Sequence, residues 1–370
     1  MKSFGRFVDK ISKKKWSIND ISKYVGTYNG SYLGYAVDPK LRQYAASGGS
    51  TTAILLYGLE NGYFDGAVVC NSHIVDNKLR IKYTIETDPN EVIRAQGSKY
   101  VQGHFLKDII PQIKNFEGKL AVVGLPCHLS SLKRWSKHKQ ERIKKIVFWG
   151  GFVCGHNSRF ELIDQIVRNI EKEEKKTIES YKFRIGLWRG HLEASFGDGT
   201  KVTKPSSYFN LYQNLHFFSE SKCLACYDHF AYNSDVTFGD VWLYSLKNES
   251  IKQNGIIART ALGKTLLEEA IANGYLQAIS THIDKILDGQ SRVAPAHYNV
   301  SARSKAGKYL GLSIPNNVNE NVKWHEFISG FITVFNYKVS KTHLGKKIIF
   351  ITPKFILKTY LYIKKALESL

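Results

Sequence analysis

The residues with the clearest chemical potential are cysteines. Two of the five form the tetrapeptide Cys223-Leu224-Ala225-Cys226. Thiolates at this spacing reach one metal centre without strain, because the intervening turn aims both sulfurs the same way. Zinc, iron–sulfur and dithiol redox sites all use the arrangement. Cys127 and Cys154 each follow an apolar run, KLAVVGLPC and KIVFWGGFVC. Such runs suit strands covered on both faces, and open α/β sheets build their sites at strand C-terminal ends. Two adjacent strand ends and one CxxC loop would bring four thiols to a single place. Four thiolates satisfy either tetrahedral zinc or a cubane cluster. One close pair plus two single ligands from separate strands leans toward the cluster, and zinc stays open. Cys70, at the end of FDGAVVC, reads as a buried core thiol.

Glycine turns form the second group. Ser47-Gly48-Gly49-Ser50-Thr51 stands where helical spacing begins, with Thr51 through Asn61 as the helix and Gly62 as its stop. Glycines permit close backbone approach, and free N–H groups at a helix start attract an anion. The hydroxyls of Ser47, Ser50 and Thr51 add possible hydrogen bonds to a phosphate. Neither a Walker A nor a GxGxxG pattern is present, so an ordinary capped helix is the competing reading. Gly97-Ser98-Lys99-Tyr100 offers another small turn with a cation and an aromatic plane. Either turn suits a dinucleotide pyrophosphate or a flavin ring. His104, His128 and His156 read as loop or structural histidines, and no nucleophile–base pair stands out.

These groups need elements to hold them. FDGAVVC and KLRIKYTIE read as strands, DPNEVIR as a short helix, and HFLKDIIPQIKNF as a helix kinked or broken at Pro111. SRFELIDQIVRNIEKEEKK is the clearest amphipathic helix. Alternating strands and helices predict an α/β fold with a mixed or mostly parallel sheet and flanking helices. An irregular α+β region carrying the CxxC follows, then a helical basic tail. The expected divisions are 1–30, a basic lead-in; 31–175, the α/β core; 176–300, the α+β region; and 301–370, the tail.

Composition sets limits. With 43% hydrophobic residues and 13% aromatics the chain can fill a core. Five cysteines in 370 residues are too sparse for a disulfide scaffold. No run reaches the roughly 18 apolar residues of a membrane span, and the N-terminus lacks a signal-peptide pattern. A cytoplasmic location follows. The net charge of +21 raises nucleic acid as a partner. The charge is spread along the chain without a nucleic-acid-binding signature, so no nucleic acid is expected. It is densest at Lys10–Lys15 and in the tail, where Lys346, Lys347, Lys354, Lys358, Lys364 and Lys365 alternate with apolar residues. A basic amphipathic helix suits peripheral contact with an anionic inner membrane face; a docked terminal helix with a solvated lysine face is the alternative.

Taken together the sequence resembles the beta subunits of coenzyme F420 hydrogenases and dehydrogenases. The resemblance rests on ASGGSTTAILLYGLENGYFDGAVV, AQGSKYVQG, AVVGLPCHLSSLK, FVCG, Phe183-Arg184, KCLACYDHFAYNSDVTFGDVW and IIARTALGKTLLEEAIANGYL, in order over about residues 35–280. It implies an iron–sulfur flavoprotein with FAD and a [4Fe–4S] cluster, the cluster on Cys127, Cys154, Cys223 and Cys226. It places the flavin near Ser47, Gly48, Gly49, Ser50, Thr51, Gly97, Ser98, Lys99, Tyr100, Gly124 and Pro126. Asp228, Asp235, Gly239 and Asp240 belong to a shared block, with Asp240 fixing the CxxC loop or contacting the cofactor. Many relatives carry an N-terminal ferredoxin-like cysteine cluster; no cysteine precedes Cys70 here. The implied activity passes electrons between a hydride donor or acceptor and a one-electron partner. A ferredoxin-like protein, a deazaflavin or a nicotinamide would serve as redox partner. Shortened relatives accompany bacterial polysaccharide genes, which implies a nucleotide sugar or glycan precursor as substrate. Two other readings stay open: a cofactor-bearing adaptor of polysaccharide assembly, and a zinc-stabilised nucleic-acid-binding protein.

Overall fold

The computed structural model describes residues 15–136 and 144–370. Residues 1–14 of the basic lead-in, including Lys10, lie outside the described residues. The centre of the fold is an eight-stranded sheet in the order β11-β1-β10-β9-β5-β4-β2-β3. The strands are β1 (Gly30–Ala36), β2 (Gly66–Val75), β3 (Lys78–Glu86), β4 (Leu120–Gly124), β5 (Ile146–Phe152), β9 (Val236–Asp240), β10 (Asn254–Ala258) and β11 (Leu276–Ser280). β2, β4, β5 and β9 run parallel, and the pairings outside them are antiparallel. The sheet is therefore mixed. β9, β10 and β11 come from beyond residue 176, so the division drawn there in sequence does not divide this sheet. A separate antiparallel sheet, β6 (Ile178–Ile185), β7 (His191–Phe196) and β8 (Lys201–Pro205), packs beside it.

The parallel strands are apolar because helices cover both their faces. In β4, Leu120 and Val122 enter one core cluster while Ala121 and Val123 enter the other. The first cluster takes Ile109 and Ile113 of helix Phe105–Asn115, Leu129 and Leu132 of helix Pro126–Ser136, and the apolar stripe of helix Phe160–Glu174. The second takes helices Ser50–Glu60 and Ala261–Ala272. Helix Phe105–Asn115 runs through Pro111 as one helix, so the proline does not break it. The β2–β3 turn is tight because Asp76 and Asn77 both adopt positive φ, at 49° and 55°, as a two-residue hairpin requires.

The tail holds four helices: Val300–Tyr309, Trp324–Val339, His343–Ile351 and Lys354–Ser369. Leu357 and Leu361 of the last one join the main core. Lys364 is also buried, at 1% exposure, and pairs with Glu368, which pairs in turn with Arg292. A buried ammonium is tolerable only with such a partner. Glu368→Leu is expected to destabilise the protein by about 3–5 kcal/mol by leaving Lys364 uncompensated. The double variant Lys364→Met/Glu368→Leu should recover at least half of that loss. Urea denaturation measures both; a single-variant loss below about 1 kcal/mol would contradict the buried-pair account.

Candidate functional site at the ends of the parallel strands

Cys127, Cys154, Cys223 and Cys226 line one small cavity, with Leu125, Pro126, His156, Asn157, Lys222 and His297 completing it. The fold explains the convergence. Cys127 sits in the first turn of helix Pro126–Ser136, directly after β4, and Cys154 lies just past β5, the next strand. The CxxC loop is drawn to the same edge by paired hydrogen bonds: the Cys154 amide donates to the His229 carbonyl at 2.9 Å, and His229 Nδ1 meets the Cys154 carbonyl at 3.0 Å. Arg303 clamps the loop from the other side. Its guanidinium donates to the carbonyls of Leu224, Ala296, Cys226 and His297, all at 2.7–2.8 Å.

Burial raises the pKa of all four thiols. The Cys154 thiol is pushed well above its ordinary value by burial and by the other three cysteines. Burial takes Cys223 up to about 12 and Cys226 up to about 11. Cys127 rises through burial, opposed by Lys222 and the backbone amides at its helix start. Among the described residues, no three Cys, His, Asp or Glu side chains close on a point as ligands of one ion. Thiolates on a tetrahedral zinc would stand roughly 3.8 Å apart, from a Zn–S length of about 2.3 Å.

A cleft of about 1450 Å³ adjoins this cavity, and Leu125, Cys154, His156, Asn157, Cys223 and His297 line both. Of the residues expected at a flavin, the cleft is lined by Ser47, Gly49, Ser50, Thr51, Gly97, Ser98, Lys99, Tyr100, Gly124 and Asp240. Gly48 is not at the cleft. It is packed behind the turn, where a Cβ would meet the Gly34 carbonyl at 2.8 Å and Asn254 Oδ1 at 2.9 Å. Pro126 faces the thiol cavity instead. Gly49 holds the left-handed φ of 80° that starts helix Ser50–Glu60, one residue earlier than the sequence spacing suggests. The turn is anchored through the Ser47 hydroxyl to the Gln253 carbonyl and through the Ser50 amide to Asn254 Oδ1.

Asp240 closes β9 with its carboxylate held by both Arg184 guanidinium nitrogens, at 2.5 and 2.8 Å. Burial raises this carboxyl, but Arg184 and the Ser47 hydroxyl outweigh that and hold it below the usual carboxylate range. Asp240 thus ties β9, β6 and the Ser-Gly-Gly turn together. Asp235 plays a similar part at the other end of β9, accepting from the Trp149 amide and the Thr260 hydroxyl at 2.8 Å each. Asp228 accepts from the Tyr232 amide, fixing the turn after the CxxC. Gly239 leaves room for the Val153 side chain, which a Cβ there would strike.

Cys70 corrects a sequence expectation. It is half-buried and lines the cleft, because β2 leaves the covered part of the sheet there. Lys99 lines the cleft too, donating to the Ala95 and Gln96 carbonyls, and burial lowers its amine to about 8. His128 lines the cleft, stacked on Phe105 with centroids 4.4 Å apart, and burial lowers it to about 3. His156 is packed on His216 at 4.0 Å and meets the Gln213 carbonyl. His104 lies against Phe160, away from the cleft lining. Sequence reasoning missed Gln96, Trp242 and Arg303. Gln96 lines the cleft with both amide atoms buried and without a partner among the described residues. Nothing in its local pattern announces that role.

Comparison with known proteins supplies the context. Models of the coenzyme F420 hydrogenase/dehydrogenase beta subunit match residues 31–109 with the N-terminal part and 117–283 with the C-terminal part. The coenzyme F420 hydrogenase subunit beta of Methanosarcina barkeri is 20% identical over 258 residues, 69% of this chain and 82% of that one. Its counterpart from Methanococcus voltae is 22% identical over 298 residues, 78% of this chain and 99% of that one. In three dimensions the chain is similar to a chain of the F420-reducing [NiFe] hydrogenase complex from Methanosarcina barkeri. The TM-score is 0.62 at 17% identity, covering 80% of this chain and 98% of that one.

The Arg303 clamp generates a test on the apo-protein. Arg303→Lys keeps the charge but not the planar fork, and should cost about 2–4 kcal/mol through lost charge-assisted hydrogen bonds. Cys223 and Cys226 should then react faster with a maleimide. Unchanged stability and thiol reactivity would show that the loop does not depend on the clamp.

Proposed function

The chain belongs to the coenzyme F420 hydrogenase/dehydrogenase beta subunit family, and from that premise we propose an iron–sulfur flavoprotein oxidoreductase. In this reading FAD lies in the cleft, and one [4Fe–4S] cluster is held by Cys127, Cys154, Cys223 and Cys226. The observation that carries it is the shared wall: Cys154 and Cys223 line both the thiol cavity and the cleft. A centre on these thiols would stand beside whatever fills the cleft.

The residues fit both groups. Four partly buried thiols whose pKa values are raised by burial and by neighbouring cysteines need a cationic centre before they can ionise together. Lys222 and Arg303 stand close enough to favour the thiolates. In the cleft, the unpartnered Gln96 amide offers a donor and an acceptor. The start of helix Ser50–Glu60 offers the Thr51 hydroxyl and the amides after Ser50 to an anion, the Ser50 amide and hydroxyl being taken by Asn254 and Gly34. When bound, the flavin supplies hydride chemistry and the cluster single-electron transfer.

The protein's own contribution is positioning. Arg184 and Asp240 fix the β9 end against the Ser47 turn. His128, kept neutral by burial, and Tyr83 form an apolar floor beside Cys70. Arg303 and His229 hold the CxxC loop in register with Cys154. The partners we propose are a hydride source or sink, deazaflavin or nicotinamide, and a ferredoxin-like one-electron protein.

The outer face of the tail favours a peripheral attachment as well. Leu344, Ile351 and Phe355 are 67%, 77% and 71% exposed, with Lys347, Lys354 and Lys358 exposed beside them. Apolar residues flanked by cations suit an anionic bilayer surface. Among the described residues, no helix is long and apolar enough to cross a membrane.

Two measurements test these readings. Anaerobically purified protein should contain iron, sulfide and flavin, and Cys226→Ser should lose most of the iron while flavin stays bound. Unchanged iron would remove Cys226 from the ligand set. Ile351→Asp/Phe355→Asp should lower partitioning onto phosphatidylserine vesicles by roughly tenfold or more, through lost apolar burial; equal partitioning would end the membrane reading.

A further inference from the structure

The segment beyond residue 283, where the family match ends, completes one wall of the cleft. Arg292, Lys364, Lys365 and Glu368 all line it. Arg189 reaches the same wall from the opposite direction, at the tip of the β6–β7 hairpin. That tip is rigidly built. Gly186, Trp188 and Gly190 all have positive φ, at 76°, 48° and 68°, and a Cβ on Gly190 would run into the Ile185 carbonyl oxygen. The Trp188 ring is braced edge-on against Trp242 at 5.6 Å and Tyr244 at 6.4 Å. The Arg189 guanidinium lies over Trp242 at 6.0 Å. A strained turn over-determined in this way marks a functional position more often than a passive one.

The charges on this wall do not balance. Glu368 answers Arg292 and Lys364. Among the described residues neither Arg189 nor Lys365 is in an ion pair. The Lys365 amine is lowered to about 8 by burial and then by Arg292 and Arg189, so the three cations feel one another. Arg189, Arg292, Lys364 and Lys365 thus share one carboxylate, Glu368; an excess of like charge is unfavourable, and an anion between them would relieve it. Two guanidinium forks and an ammonium match a phosphate dianion better than a single carboxylate.

We propose that Arg189, Arg292 and Lys365 form a subsite for the phosphate or diphosphate group of the cleft's second substrate, an organic phosphate. The inference rests on the reading of the cleft as a flavin site, and it separates the two anions: the flavin's phosphates at the Ser47–Thr51 turn, the substrate's at this wall. Two of the three cations lie outside the family match.

Calorimetric titration of inorganic pyrophosphate into the flavin-loaded protein at low salt tests it. The wild type should bind, and Arg189→Gln/Lys365→Gln should bind at least tenfold more weakly with flavin and iron content unchanged. Lys365→Arg should retain binding. Arg189→Gln alone, at an exposed turn position, carries the test if the double variant does not fold. No binding by the wild type, or equal binding by the variants, would overturn the proposal. So would a parallel loss of flavin, which would assign these cations to the flavin's own diphosphate. Protein that lacks flavin yet binds pyrophosphate through these residues would sink the flavin reading and leave the anion subsite standing.

Discussion

The structure depends on three parallel strands ending at one edge. β4, β5 and β9 are neighbours in the sheet, and each is buried on both faces, so it can carry only apolar or small residues along its length. Side chains that do chemistry are displaced to the first positions after each strand. Cys127 and Cys154 occupy such positions, and Asp240 is the last residue of β9. The parallel pairing then decides that these positions are adjacent. Everything else at the site is support: the His229–Cys154 hydrogen bonds, the Arg303 clamp and the Arg184–Asp240 fork hold loops to an edge the sheet has already defined.

Because the thiol cavity and the cleft share Cys154 and Cys223, the arrangement couples two compartments with different character. The thiol side is closed by buried side chains. The cleft is wide and runs from the Ser47 turn to the last helix of the chain. In the proposed reading the sealed side would hold one group by covalent ligands and the open side would exchange with partners. The relatives include beta subunits of coenzyme F420 hydrogenases, and the tail beyond residue 283 gives this chain a wall the family match does not describe.

The sequence disclosed the parts governed by local rules. Apolar runs announced β4 and β5, the Asp88-Pro89 start announced helix Pro89–Arg94, and the four thiols were legible because cysteine is rare in this chain. The Ser-Gly-Gly turn was legible as a turn at a helix start, but not which of its glycines faces the cleft. Gly48 is turned away because β1 and β10 pass behind it, a relation between strands more than 200 residues apart. Cys70 resembled a core residue for the same reason: its strand is apolar, and only the sheet's edge shows that it opens on the cleft. The membership of β9, β10 and β11 in the main sheet, the Arg303 clamp and the buried Lys364–Glu368 pair are all long-range. No local periodicity encodes them.

The central claim is that one inorganic centre joins Cys127, Cys154, Cys223 and Cys226 beside the cleft. Anomalous diffraction at the iron edge from anaerobically grown crystals tests it most directly. The account predicts a single strong iron peak inside the cavity bounded by those four sulfurs. A zinc peak there, a peak elsewhere, or sulfurs with no metal between them would contradict it.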